Sequence, residues 1–270
     1  MNQRPNVKLL AVDLDGTLVG ADLQIRPRVI DAIAQARERG IYGCIVTGRM
    51  FQAALPYVRQ LEFDRPVICY QGAAIVDPNS DEVLQHVALD NSLVLEISKR
   101  VLADRMHLQL YANDHFYVQE ENEFSAFYAR LSGVRPILVD SLLEKFRFSD
   151  ATKIVVIDRP ERAKSYAQTL QATFGDRAYI TRSFPEFIEI LSRDVDKGQA
   201  LRFVAAHAGV PTEEVLAIGD SWNDVPLLRA AGFGIAMASS PPELLEVADA
   251  VVPDVAHDGV AEAIERYVIA

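Results

Sequence analysis

Four groups of polar residues stand where apolar runs end or helical patterns begin. Asp13-Leu14-Asp15-Gly16-Thr17 follows the run Val7 to Val12, and Thr47-Gly48-Arg49 follows Ile41 to Val46. Lys197-Gly198 opens a helical pattern, and Gly219-Asp220-Ser221-Trp222-Asn223-Asp224 follows Val215 to Ile218. Alternation along an extended chain places Asp13 and Asp15 on one side, and Gly16 lets the backbone turn sharply after them. These two carboxylates together with Asp220 make an oxygen-rich cradle suited to Mg²⁺. Thr47 contributes a hydroxyl and Lys197 a point charge, both good partners for phosphate oxygens. Phosphoryl transfer needs mainly positioning and charge neutralisation, which this set supplies. One carboxylate could act as nucleophile and a second could move protons to and from the leaving oxygen and water.

The surrounding pattern places these groups at the carboxyl edge of a parallel sheet, where ligands bind in open α/β folds. Val7 to Val12, Ile41 to Val46 and Pro66 to Tyr70 read as buried strands. Helical patterns lie between them, one from Pro27 to Gly40 and one from Met50 to Leu61, where Pro56 predicts a kink or a late start. After Ala74 the rhythm changes to hairpins, with turns at Asp77-Pro78-Asn79-Ser80 and Asn113-Asp114, and helices between paired strands. From Lys197 strand and helix alternate again. The expected fold is α/β: a Rossmann-like parallel-sheet core over residues 1–84 and 188–270, with an α+β cap domain inserted over 85–187.

With the elements in place, the chain resembles the haloacid dehalogenase superfamily, and within it the Cof-type sugar-phosphatase-like group with a large α/β cap. The resemblance covers essentially the whole length. Asp13 to Thr17 matches D-x-D-G-T, Lys197-Gly198-Gln199-Ala200-Leu201 matches K-G-x-A-L, and Gly219 to Asp224 matches G-D-x-x-N-D. Thr47-Gly48-Arg49 matches the second motif, and His257-Asp258-Gly259-Val260 resembles the E-D-G-V before the last helix. The resemblance implies that Asp13 attacks phosphorus and Asp15 serves as acid and base. It further implies that Thr47, Gly48, Arg49, Lys197 and Asn223 contact the phosphoryl group. Mg²⁺ would be held by Asp13, the Asp15 main-chain carbonyl and Asp220, with Asp224 orienting Lys197 or a metal-bound water. Two stretches depart from the family pattern: Gln71-Gly72-Ala73 in place of Asn-Gly-Ala, and Ala236-Met237-Ala238-Ser239-Ser240 in place of A-M-G-N-A. These bear on rim contacts rather than on the chemistry.

The bulk properties narrow the partners. A formal net charge of -11 opposes general nucleic-acid binding. No apolar stretch approaches the roughly 20 residues of a membrane span, and the N-terminus lacks a leader pattern, so a cytoplasmic protein is expected. Cys44 and Cys69 sit in apolar runs and read as reduced, buried thiols. His107, His115 and His207 lack metal-ligand spacing, and the Gly219-Asp220-Ser221 turn has no histidine partner for a serine nucleophile. Trp222 reads as local packing, and Asp114, His115 and Arg182 as cap groups within reach of a substrate.

Taken singly, the polar groups also have plainer roles: Thr47 and Asp220 as helix caps, Arg49 in a surface ion pair, Lys197 at a helix start. Four motifs in order favour hydrolysis of a small phosphorylated metabolite. Phosphotransfer to a second hydroxyl, as in a phosphosugar mutase, is the enzymatic alternative. A phospho-accepting signalling module is the non-enzymatic one, and such modules need neither this length nor Asp15.

Overall fold

The computed structural model describes residues 5–269, so residues 1–4 and 270 of the expected core lie outside the described residues. In chain order the strands are β1 (Leu9–Asp13), β2 (Tyr42–Val46), β3 (Val67–Cys69), β4 (Ala74–Val76), β5 (Val83–His86), β6 (His107–Ala112) and β7 (His115–Val118). They continue as β8 (Ile137–Leu138), β9 (Lys153–Ile157), β10 (Ala178–Thr181), β11 (Phe187–Ser192), β12 (Val215–Gly219), β13 (Phe233–Met237) and β14 (Ala250–Val252). The helices are α1 (Pro27–Glu38), α2 (Phe51–Gln60), α3 (Asn91–Ala103), α4 (Glu123–Ser132) and α5 (Leu142–Lys145). After these come α6 (Pro160–Phe174), α7 (Lys197–His207), α8 (Val225–Ala230), α9 (Pro242–Leu245) and α10 (Gly259–Ile264).

Among the described residues the strands form two sheets. The first has the order β14-β13-β12-β1-β2-β3-β4-β5 and is parallel from β14 to β3. Its central strands are apolar on both sides, because helices cover both faces. Leu10 and Val12 of β1 pack with Val29 and Ile33 of α1 and Val260 of α10. Leu9 and Ala11 pack on the opposite side with Leu201 and Val204 of α7. β1 pairs with both β2 and β12, and from it the chain winds outward in opposite directions. The ends of β1 and β12 therefore diverge from a topological switch point, where a crevice forms.

The second sheet has the order β10-β11-β9-β6-β7-β8 and is antiparallel except for the β7–β8 pair. Ile154 and Val156 of β9 turn toward Val94 and Ile97 of α3 and Leu170 of α6. Val155 and Ile157 turn the other way and join the larger core shared with the first sheet. The expected division at 84/85 and 187/188 cuts both sheets. Hydrogen bonding assigns β5 through His86 to the first sheet and β11 through Ser192 to the second.

The late start expected for α2 does not occur, although Pro56 lies inside the helix. Both carboxylate oxygens of Asp114, from the β6–β7 turn, accept the first backbone N–H groups of that helix, from Phe51 and Gln52, at 2.8 Å each. A carboxylate at a helix N-terminus satisfies orphan donors and complements the dipole. Tyr70 Oη also donates to Asp114 Oδ1 at 2.8 Å. Asp114 is thus committed to joining the two sheets rather than to contacting a ligand.

Candidate active site

The four polar groups converge at the switch point. Lys197 is the first residue of α7, whose N-cap is Asp196, and it is completely buried. Its Nζ lies 2.5 Å from Asp13 Oδ1 and 2.6 Å from Asp224 Oδ1. Asp220, at the end of β12, accepts the Thr17 hydroxyl at 2.9 Å. Asp224 Oδ2 accepts the backbone N–H groups of Asp220 and Ser221, which folds the Gly219–Asp224 turn tightly around its own carboxylate.

The electrostatics of this cluster are unbalanced. Asp13, Asp220 and Asp224 can each bring one carboxylate oxygen within 4.8 Å of the others. Burial and the charge of Asp224 push the Asp13 carboxyl well above the ordinary range, against the pull of Lys197. The same two causes raise Asp220 to about 7. Burial opposes the charge on Lys197, but Asp13 and Asp224 outweigh it and hold the ammonium charged above the ordinary lysine range. One ammonium does not neutralise three clustered carboxylates, two of them buried, and hard oxygen donors at this spacing suit a divalent cation. Gly16 completes the cradle. Its φ is +83°, and a Cβ there would fall 2.2 Å from Asp220 Oδ2. The residues present therefore fit a divalent metal. The Asp15 side chain is not one of the clustered groups, which leaves only its main-chain carbonyl for the expected metal contact.

Arg49 is not in a surface ion pair. It is 5% exposed, and its guanidinium grips Asp15 through two hydrogen bonds of 2.8 and 2.5 Å. Thr47 and Asp220 are not helix caps either. Thr47 Oγ1 accepts the Arg49 N–H at 3.1 Å within its own turn, and α2 begins beyond it at Phe51. The turn before α8 is capped by Ser221 with Asp224. Trp222 is not limited to local packing, since the Arg182 guanidinium from the β10–β11 connection lies 5.0 Å from its ring centroid, and His115 is exposed beside Asn113.

Sequence reasoning missed the second sheet's contribution. Alternation along β9 and β11 sends Lys153 and Glu189 toward the first sheet, where they are 2% and 1% exposed. Lys153 Nζ donates to Glu189 Oε2 at 2.8 Å and to the Gly48 carbonyl at 2.6 Å. Gln71 is not at the rim: it is fully buried, at φ +58°, and its Nε2 donates to Glu189 Oε1 at 2.9 Å. Asn223 Nδ2 in turn donates to Gln71 Oε1 at 2.9 Å. A usable signal existed, since Lys153 and Glu189 are isolated charges in otherwise apolar strands, where charges are rarely buried unless paired. Asp13, Asp15, Gly48, Arg49 and Asn223 line one cleft together with Lys153 and Glu189. Tyr128, Phe184 and Phe187 from the second-sheet side wall it.

The profile of the haloacid dehalogenase-like hydrolase family matches residues 10–264. The chain is 27% identical over 266 residues to the 5-amino-6-(5-phospho-D-ribitylamino)uracil phosphatase YitU of Bacillus subtilis, covering 96% of this chain and 97% of that one. It is 26% identical over 271 residues to the pyridoxal phosphate phosphatase YbhA of Escherichia coli, covering 97% and 99%. The crystal structure of TM0651 from Thermotoga maritima superposes with a TM-score of 0.81 at 30% identity, covering 96% of this chain and 97% of that one.

Proposed function

Because this chain belongs to the haloacid dehalogenase-like hydrolase family, we propose that it is a Mg²⁺-dependent phosphatase of small phosphate monoesters, sugar phosphates or related metabolites, acting through a phosphoryl-Asp13 intermediate. The observation that carries this reading is the placement of Asp13, a buried carboxylate at the switch point beside Lys197, with Asp15 two residues away and held by Arg49. Relatives of nearly full-length coverage named as phosphatases support it.

In the first half-reaction a carboxylate oxygen of Asp13 bonds to phosphorus as the bond to the ester oxygen breaks. Asp15 gives that leaving oxygen a proton. In the second, Asp15 takes a proton from water as the water oxygen attacks phosphorus, releasing inorganic phosphate and restoring Asp13. As an ion-paired carboxylate Asp15 is set for the second role, and serving in the first requires it to turn from Arg49. Arg49 is therefore a positioning residue for Asp15. Lys197 and Thr47 hold the transferring oxygens, and the second sheet closes over the cleft as a cap and excludes water. Asp13, Asp220, Asp224 and the Asp15 carbonyl would hold Mg²⁺, which supplies positive charge to the phosphoryl oxygens when bound.

Phosphate release from a panel of esters should stop with EDTA and return with added Mg²⁺; release that persists in EDTA would overturn the metal assignment. The pH dependence of stability provides a second check. Asp13 and Asp220 keep protons in the fold at pH values where the unfolded chain has lost them. The metal-free protein therefore loses stability as pH rises from about 4 toward 7. Metal binding needs the ionised carboxylates, so the rise in Tm produced by a few millimolar Mg²⁺ should grow between about pH 5.5 and 7.5. A rise of equal size at both ends would contradict the assigned ligands.

A further inference from the structure

The polar network between the sheets has only one consistent hydrogen-bond direction. Glu189 is ion-paired with Lys153, and an ionised carboxylate only accepts. Gln71 must therefore turn its NH₂ group to Glu189, as it does at 2.9 Å. Its carbonyl oxygen then faces Asn223, which must answer with its own NH₂ group, again at 2.9 Å. The Asn223 amide is thus locked from a distance by the Lys153–Glu189 pair, through Gln71. The remaining amide atom, Asn223 Oδ1, is buried and has no protein partner among the described residues. Asn223 is 3% exposed and lines the same cleft as Asp13 and Asp15.

A buried acceptor left without a partner is unfavourable, so a ligand that brings a donor to it is favoured over one that does not. Gln71 takes one of the two Asn223 Nδ2 hydrogens, so the other remains open to phosphoryl oxygens while Oδ1 awaits a donor. The strain at Gln71 points the same way. Tyr70 and Gln71 both hold left-handed φ values, +51° and +58°, and such outliers persist where surrounding contacts over-determine them. Gly48 admits the Gln71 amide, since a Cβ there would lie 2.2 Å from Gln71 Nε2.

We propose that Gln71 is a specificity-determining positioning residue, holding Asn223 Oδ1 toward the cleft so that the site selects phosphate monoesters whose body carries a hydroxyl donor. This inference rests on the phosphatase reading above and narrows its substrates to polyol esters rather than alkyl esters.

The test compares kcat/KM for sorbitol 6-phosphate and hexyl phosphate in the wild type and in Gln71→Met. Methionine keeps the length of the side chain but cannot hold the Asn223 amide. Taking the ratio between variants cancels the difference in leaving group. The wild type should favour the polyol ester, and Gln71→Met should lower that preference about tenfold, the loss of one hydrogen bond to a buried acceptor. Gln71→Asn serves as a second variant, because asparagine tolerates the left-handed backbone but is too short to span Glu189 and Asn223. Tm establishes that each variant is folded. A preference unmoved in both folded variants overturns the proposal. An unmoved preference with weakened Mg²⁺ affinity also overturns it, and assigns Oδ1 to a metal-bound water. Absence of phosphate release from every ester by the wild type would remove the phosphatase reading itself, an outcome distinct from release without preference.

Discussion

Asp13→Asn should lower kcat for phosphate release by about four orders of magnitude or more, the scale seen when a covalent nucleophile is removed. The substitution keeps the shape of the side chain and removes the charge that attacks phosphorus. Its effect on stability should have the opposite sign from that of an ordinary core mutation. Asp13 is one of three clustered carboxylates and is pushed above its ordinary range by burial and by Asp224. Neutralising it relieves repulsion, and Asp224 remains as a partner for Lys197. In EDTA the variant should therefore melt at or above the wild-type temperature, while the increase produced by Mg²⁺ should shrink because one ligand is lost. Steady-state phosphate release and thermal melts with and without Mg²⁺ read the two effects separately. Activity within about tenfold of wild type would remove Asp13 from the nucleophile's role.

Lys197→Ala should give the largest loss of stability at the site. The wild-type ammonium is fully buried and bonded to two carboxylates. Removing one partner of a buried ion pair leaves uncompensated charge and typically costs about 3–5 kcal/mol. For a chain of this size that corresponds to a fall in Tm on the order of 10 °C. The loss should be greatest near neutral pH and smaller near about pH 5, where the abandoned carboxylates take up protons instead. Mg²⁺ should restore part of the stability, because a dication replaces the missing charge, but should not restore turnover. Denaturant unfolding at the two pH values checks this. A loss below about 1 kcal/mol at neutral pH would mean that Lys197 is not what balances the cluster.

Much of this site was legible in the chain. Apolar runs end at Asp13, Val46 and Gly219, and polar residues follow each because a buried parallel strand must return to solvent at its carboxyl edge. The spacing of Asp13 and Asp15, the glycine after them, and Lys197 at a helix start are local features, and they lie in the structure where local rules place them. Hairpin turns were readable from Asp77-Pro78-Asn79-Ser80 and Asn113-Asp114 for the same reason. That α2 keeps its full first turn despite Pro56 was not, because that turn is held by Asp114, a residue 63 positions from Phe51.

Partnership across long separations was decided only by the tertiary structure. No local pattern states that β12 pairs with β1 and so brings Asp220 and Asp224 to Asp13. Nor does any pattern tie Arg49 to Asp15 rather than to a ligand. Lys153 and Glu189 read as isolated charges in apolar strands, and only the docking of one sheet on the other reveals that they meet Gly48 and Gln71. The physical reason is one of range. Side-chain periodicity and turn chemistry record which face of an element is buried, and these are set by neighbours within a few residues. The direction of a hydrogen bond in a buried network depends on every partner at once, and those partners converge from distant parts of the chain only when it folds.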